Sequence, residues 1–200
     1  MGRGQTAQAP EGLRYEPRFV TEEEERAILS QVEALEFGRV VLHGVASKRE
    51  VASFGWGYSF ESNSLSEAAP IPYWLQPLRE RAAALASLEV AQLAQALVVR
   101  YPPGAGIGYH RDLPVFGPVV VGISLLSACS MRFRRAAGEG WEVYVLELEP
   151  RSAYVMSGAA RSAWQHGITV CREARYSITL RTLKRPRPPA TAGGPSPTRP

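Results

Sequence analysis

The stretch Tyr101-Pro-Pro-Gly104-Ala-Gly106-Ile-Gly108-Tyr-His110-Arg-Asp112 admits two opposed readings, and the fold turns on the choice. Read as a glycine-rich phosphate loop, it would open an α/β nucleotide-binding fold. The spacing Gly-x-Gly-x-Gly is not Gly-x-Gly-x-x-Gly, and no helical pattern comes after it to offer its N-terminus to a phosphate. Read as extended chain, it ends in a His-x-Asp pair. Side chains on extended chain alternate faces, so His110 and Asp112 point one way and Arg111 turns aside. The glycines then serve a tight turn that brings backbone close to that pair. An imidazole beside a carboxylate supplies two ligands to a borderline divalent metal. One more histidine completes the 2-His-1-carboxylate triad that leaves open positions on non-haem Fe(II). The chain has three histidines: His110, His43 in Val40-Val41-Leu42-His43-Gly44, and His166 in Trp164-Gln165-His166-Gly167-Ile168. His166 is taken as the third ligand.

A hydrogen-bonded surface pair would carry the same His-x-Asp sequence, so the meaning of the pair depends on residues further along the chain. Arg175-Tyr-Ser177-Ile-Thr179-Leu-Arg181 alternates as a strand. Tyr176, Ile178 and Leu180 share one face; Arg175, Ser177, Thr179 and Arg181 share the other. Two guanidinium groups and two hydroxyls on one face suit a dicarboxylate, because guanidinium pairs with carboxylate bidentately. An exposed edge strand with a solvated polar face is the competing reading.

Taken together, Tyr101, His110-x-Asp112, His166 within Ser157-Gly-Ala-Ala-Arg161-Ser-Ala-Trp164-Gln-His166-Gly-Ile, and Arg175-x5-Arg181 resemble the AlkB family of Fe(II)/2-oxoglutarate dioxygenases. The resemblance runs from about Leu13 to Leu183 and is strongest from Val98 onward. It implies an α+β, mainly β fold: a double-stranded β-helix, or jelly roll, buttressed by N-terminal helices. It implies Fe(II) on His110, Asp112 and His166, with O₂ and the co-substrate 2-oxoglutarate at the open positions. The far carboxylate of 2-oxoglutarate would pair with Arg175, helped by Tyr101 and Ser177, and Arg181 would lie near its other end. The implied reaction is oxidative N-dealkylation of an alkylated base in DNA or RNA, releasing an aldehyde and the free base. Such a base must be flipped out of a duplex or come from a single strand.

The chain departs from the family pattern at three positions. Val99 stands where many relatives carry Asn two residues before the tyrosine. Pro114 stands where many carry a base-reading acid two residues after the metal Asp. Ser177 stands where some carry Asn. The Pro114 departure keeps a second activity open, a 2-oxoglutarate oxygenase acting on a protein side chain or a small molecule. A non-enzymatic module that keeps only the fold is disfavoured by the complete triad and both arginines.

Two hundred residues, 45% hydrophobic and 21% charged, fit one soluble globular domain with a real core. The net charge of +4 resides mostly in a tail after Lys184 that holds Arg185, Arg187 and Arg199 and no acid. The rest is nearly neutral, so charge alone says little about partners. Two cysteines, Cys129 and Cys171, make no disulfide framework and point to a reducing, cytoplasmic setting. No apolar run reaches membrane-spanning length, and a monomer is expected.

In chain order, residues 1–12 and 184–200 are Gly/Gln/Pro- and Pro/Arg-rich and are expected to be disordered, around a domain at 13–183 whose catalytic core spans about 95–183. Thr21-Glu-Glu-Glu24 is a capping box opening a helix with Ala27, Ile28, Val32 and Leu35 on one stripe. A strand is expected over Arg39 to Val45. The stretch Lys48 to Phe60 mixes basic residues with Phe54, Trp56, Tyr58 and Phe60, in the place of the family's nucleotide-recognition lid. Trp56 and Tyr58 are candidates for stacking on a base and Arg49 for a phosphate contact; Phe54 and Phe60 are expected to be buried. A polar loop over Ser62 to Pro72 and a helix over Tyr73 to Ser87, with Arg79 and Arg81 solvated, come next. Strands are then predicted at Ala96–Tyr101, Val119–Leu126, Met131–Arg134, Trp141–Leu148, Ala153–Ser157 and Arg175–Leu183.

Overall fold

The computed structural model describes residues 5–6, 8–42, 45–59 and 64–184. His43, Phe60 and the tail from residue 185 lie outside the described residues. The chain begins with β1 (Gln5–Thr6) and β2 (Leu13–Glu16), then α1 (Glu22–Glu33), β3 (Gly38–Leu42), β4 (Val45–Phe54), β5 (Trp56–Ser59) and β6 (Ser64–Glu67). A 3-10 turn (Tyr73–Leu75) leads into α2 (Gln76–Ala86), and a second one (Val90–Gln92) precedes the β region. There follow β7 (Gln95–Tyr101), β8 (Ile107–His110), β9 (Phe116–Leu125), β10 (Cys129–Ala137), β11 (Gly140–Leu148), β12 (Ala153–Met156), the short helix α3 (Gly158–Ser162), β13 (Gln165–Ile168) and β14 (Arg175–Leu183).

The last eight strands are divided between two sheets, four in each, and the chain crosses between them at every connection but the β10–β11 hairpin. One contains β12-β9-β14-β7 and is extended by β2 at one edge and by β4 and β3 at the other; the second runs β1-β11-β10-β13-β8. Apart from the parallel β1–β11 pair, the ladders are antiparallel. This is the double-stranded β-helix expected from the sequence. Its interior is filled from both sheets: Val99, Val120 and Met156 meet Met131, Phe133 and Leu148. A second core lies on the other face of the larger sheet, where Ile28, Val32, Leu75, Leu78 and Ala82 of the helical segments cover Val98, Ile123, Ile178 and Leu180. The β14 alternation is therefore real on both sides. Its apolar face packs on the helices, and its polar face turns into the roll rather than into solvent, with Arg175 only 1% exposed.

α1 starts where its capping box predicts. The Glu24 N–H donates to Thr21 Oγ1 at 3.1 Å and the Thr21 N–H to Glu24 Oε2 at 2.8 Å, and the four glutamates of the first turn suit the positive end of the helix dipole. Glu25 is drawn inward, accepting from the Leu126 N–H (2.9 Å) and Arg151 Nη1 (3.0 Å). α2 ends at Ser87 in the left-handed region (φ 57°).

Several expectations need correcting. The described part of the Arg39–Val45 strand ends at Leu42, and Val45 belongs to the returning β4, which pairs with β3. Ser64–Glu67, expected as loop, pairs with β5 as a two-stranded ribbon; pairing with an aromatic strand creates it, since its own sequence has no apolar alternation. Arg79 and Arg81 are not merely solvated: Arg79 Nε donates to the Leu93 carbonyl at 2.8 Å, and Arg81 meets Glu24 at 3.0 Å. The N-terminal segment is in part held. Gln5–Thr6 pairs with Glu142–Val143, and the Glu11 and Gly12 carbonyls accept from the Ala160 and Ser157 N–H groups.

Candidate active site

β8 and β13 are neighbours at the edge of the smaller sheet, and their register pairs His110 with His166. A bulge between that pair and Ile107–Ile168 lets both His110 and Ile107 face the interior. The two imidazole centroids are 4.4 Å apart. Glycine makes this approach possible. A Cβ on Gly167 would sit 2.7 Å from the Ile107 carbonyl oxygen, and one on Gly106 would sit 2.9 Å from that of Ile168. Gly104, at φ +83°, turns the chain into β8.

His110 Nδ1 lies 3.0 Å from the Gly108 carbonyl. A carbonyl can only accept, so the ring proton is on Nδ1 and the Nε2 lone pair stays free for a metal. That Nε2 is 3.9 Å from Asp112 Oδ1. Ligand atoms of His110, Asp112 and His166 all lie within 4.8 Å of one another, the spacing a single ion can bridge. Asp112 sits beyond the end of β8, and its loop is held by Arg161 of α3, which donates to the carbonyls of Asp112 (3.3 Å), Leu113 (3.1 Å) and Phe116 (3.2 Å). Arg111 does turn aside, donating to the Ala163 carbonyl at 3.1 Å.

The electrostatics prepare these groups as ligands. Burial, and then the neighbouring His110, hold His166 down to about 4. Burial also lowers His110. Both rings are therefore neutral at ordinary pH, the form that binds metal. Burial pushes the Asp112 carboxyl up, but Arg181, followed by His166, Arg161 and His110, outweighs it and leaves the group below its usual range.

The polar face of β14 closes the same cavity. Its volume is about 60 Å³, and its lining includes Arg49, Tyr101, the three cluster residues, Arg175, Ser177, Thr179 and Arg181. Arg175 lies 5.2 Å from the Tyr101 ring centroid and donates through Nη2 to Ser124 Oγ at 2.9 Å. Its Nε and Nη1 are buried with no partner. Arg181 donates to Gln95 Oε1 at 3.0 Å and approaches Asp112 Oδ1 at 3.6 Å, while its Nε has no partner and neither does Asp112 Oδ2. Leaving a buried charged group unpaired costs roughly 1–3 kcal/mol or more. The orphaned atoms are two donors on Arg175, one on Arg181 and one carboxylate oxygen. A cation at the carboxylate and a dicarboxylate between the arginines would complete them, so these residues fit an Fe(II)/2-oxoglutarate pair.

Eight of the residues singled out in the sequence meet here: Tyr101, His110, Asp112, His166, Arg175, Ser177, Arg181 and Arg49. Arg49 sits in the cavity wall beside Tyr101 and Arg181, and burial lowers its pKa. Trp56 and Tyr58 stand instead on the β5–β6 ribbon, half-buried, and neither lines this cavity. Arg161 was missed. Its only signal was a single charged side chain in the small-residue run Ser157-Gly-Ala-Ala-Arg161-Ser-Ala.

Residues 12–181 match the profile of the 2OG-Fe(II) oxygenase superfamily. Among curated relatives, an Arabidopsis thaliana protein named "Alkylated DNA repair protein ALKBH8 homolog" is 28% identical over 86% of this chain and 58% of its own length. A Mus musculus protein named "tRNA (carboxymethyluridine(34)-5-O)-methyltransferase ALKBH8" is 32% identical over 80% of this chain and 24% of its own length. The chain thus spans only part of these relatives. Among solved structures, OsALKBH1 superposes with a TM-score of 0.62 at 17% identity, covering 88% of this chain and 99% of that one. A Pseudomonas putida prolyl-4-hydroxylase superposes with 0.58 at 14%, covering 86% and 93%; at these identities both speak for the fold alone. Among the described residues no helix is long and apolar enough to cross a membrane. The chain is an AlkB-like member of the 2OG-Fe(II) oxygenase superfamily, a dioxygenase family that uses iron(II), 2-oxoglutarate and O₂.

Proposed function

We propose that His110, Asp112 and His166 hold iron(II), that Arg175 anchors 2-oxoglutarate with Tyr101 and Ser177, and that the enzyme oxidatively dealkylates nucleobases in DNA or RNA. The observation that carries the first two assignments is the cluster within 4.8 Å beside a fully buried arginine whose Nε and Nη1 lack partners. Support for the substrate class comes from relatives whose names refer to alkylated DNA repair, to tRNA, and to a probable RNA/DNA demethylase, the last a Danio rerio protein 30% identical over 64% of this chain.

When bound, the iron and 2-oxoglutarate supply the oxidising power, with O₂ consumed and succinate and CO₂ released. The chain does the rest. His110 and His166 offer neutral imidazoles, and the Gly108 carbonyl fixes the His110 tautomer. Asp112 supplies the negative ligand, and Arg161 holds its loop in place. Arg175, in a buried wall with Ser177 and Thr179, orients the far carboxylate and keeps water from it. Arg181 lies on the Asp112 side, at the metal end. Arg49, a third guanidinium with no hydrogen bond or ion pair among the described residues, faces the same space and offers a contact to an anionic group of the substrate. Trp56 and Tyr58, two residues apart on β5, offer flat faces to a base from the β5–β6 lid. In this reading residues 13–183 form the catalytic domain.

The test measures succinate and formaldehyde release with Fe(II), 2-oxoglutarate and ascorbate on oligonucleotides carrying 1-methyladenine or 3-methylcytosine, with Asp112→Ala as blank. Formaldehyde with matching base repair is expected. Succinate without formaldehyde would move the substrate to a protein side chain or small molecule. Neither product from folded, metal-loaded protein would sink the reading.

A further inference from the structure

The side of the β8–β13–β10 strands turned away from the metal cluster carries a groove of about 470 Å³, within the size range of sites that hold small organic groups. Alternation places it. Met131↔Ile168 and Phe133↔His166 face the interior, so the intervening Arg132↔Gly167 pair faces out. The floor is Gly106, Gly108 and Gly167, with Lys48 and Arg132 at its sides and Tyr109 as a wall. Ile107 and Ile168 line both this groove and the inner cavity, so the two spaces share a wall at the sheet edge.

The glycine at 108 is not demanded by the fold. Gly106 and Gly167 are explained by the close approach of the two strands, but a Cβ on Gly108 would meet nothing within 4 Å, and its φ is not in the left-handed region. What its missing side chain leaves is an open floor. The charge around that floor has one sign. No lining residue is acidic, and among the described residues neither the Lys48 nor the Arg132 side chain has an ion pair or a hydrogen bond. Beyond Tyr109 the face continues as a stack, with the Arg134 guanidinium 4.1 Å from the Tyr109 ring centroid and 4.2 Å from that of Trp141, whose side chain is 44% exposed.

We infer that this groove is a track for the single strand of nucleic acid that flanks the reacting nucleotide. Unpaired cations over a side-chain-free floor, with aromatic rings at one end, are what a sequence-tolerant single-strand site needs: charges for phosphates and flat faces for bases. The inference rests on the nucleic-acid reading proposed above and adds where the strand runs.

The test is fluorescence anisotropy with labelled oligouridylate at several salt concentrations, on full-length chain that keeps the wild-type thermal melt. Lys48→Glu combined with Arg132→Glu is expected to weaken binding at least tenfold and to lower the salt slope by about 1.4, two contacts at about 0.7 each. Gly108→Leu, which fills the floor, is expected to weaken binding with the salt slope unchanged. Arg26→Glu, exposed on α1, serves as the charge control. Should wild type bind and the groove variants lose no more than Arg26→Glu, the track is overturned and the substrate class stands. Should wild type bind no strand, both fall. An oligoglutamate peptide that binds in place of RNA, and is lost in the same variants, would overturn the track in favour of an acidic protein partner.

Discussion

Arg175 shows what a single residue contributes before any ligand arrives. It is 1% exposed, yet two of its three nitrogens have no partner. A buried charge without its complement is a cost to the folded chain, so replacing it with an apolar side chain of similar length should not weaken the metal-free protein. Arg175→Met is therefore expected to hold or raise the urea midpoint while raising the KM for 2-oxoglutarate about 30-fold or more, the loss of roughly 2 kcal/mol of charge-assisted pairing. Arg175→Lys keeps the charge but not the fork and should fall between the two. An unchanged KM in the Met variant would refute the anchor. His166 makes a different prediction. Its folded value of about 4 lies below the ordinary 6.5, so between those limits the unfolded chain binds the extra proton. Stability of the metal-free protein should be full above about pH 6.5 and decline toward pH 4, by about 3 kcal/mol in all, with half-buried His110 adding in the same direction. The urea midpoint against pH, flattened in His166→Gln, checks it. Both residues were legible in the sequence because each sits in a short pattern with a chemical meaning. Arg49 was legible as a cation but not as a wall of the inner cavity. Its direction comes from β4 lying beside β7, with Val51 opposite Val99, and that is a tertiary fact.

Elements were legible where they were long and periodic. β14 was read to the residue, and α1 from its capping box; the core strands β7, β9, β11 and β12 were placed within a few positions. β8 and β13, the two short strands that bear the histidines, were not predicted as strands. Four residues with two glycines between them have no pattern of their own, and they become strands only by pairing with each other and with β10. The Asp112 loop depends on such an element in a different way. α3 is five residues long and would not persist alone. Its N–H at Ala160 is tied to Glu11 and its Arg161 to three carbonyls of the loop over 112–116. Arg161→Ala should leave the fold standing but loosen the loop. Metal affinity is expected to drop by about 10–100-fold, the usual effect of removing a group that orients a ligand. Isothermal titration with Mn(II), compared against Arg161→Lys, reads this. A wild-type affinity in the Ala variant would show that Asp112 is positioned by β8 alone.

At the scale of the molecule, the jelly roll exchanges an apolar interior for a charged one at a single place. The two sheets meet through Val99, Phe133, Leu148 and Met156, of which Val99 and Met156 also line the charged cavity. Around the cluster they meet through three arginines, two histidines and one aspartate. Four buried atoms there are left unpaired: Asp112 Oδ2, Arg175 Nε and Nη1, and Arg181 Nε. In the proposed assignment the two ligands are coupled, because the dicarboxylate would need the metal at one end and Arg175 at the other. The coupling makes a definite thermal-shift prediction. Mn(II), which occupies such a site without turnover, should raise the melting temperature. 2-Oxoglutarate alone should raise it little, and the two together should exceed the sum of the separate shifts. At ligand concentrations near 100 times Kd, each saturated site is worth about 2.7 kcal/mol. For a chain of this size that is about 5–10 °C per ligand. Asp112→Ala should abolish the Mn(II) shift and, with it, most of the 2-oxoglutarate shift, whereas Arg175→Met should abolish only the second. If 2-oxoglutarate stabilised Asp112→Ala as strongly as wild type, it would be binding without the metal. The cluster and the arginine face of β14 would then be two sites rather than one.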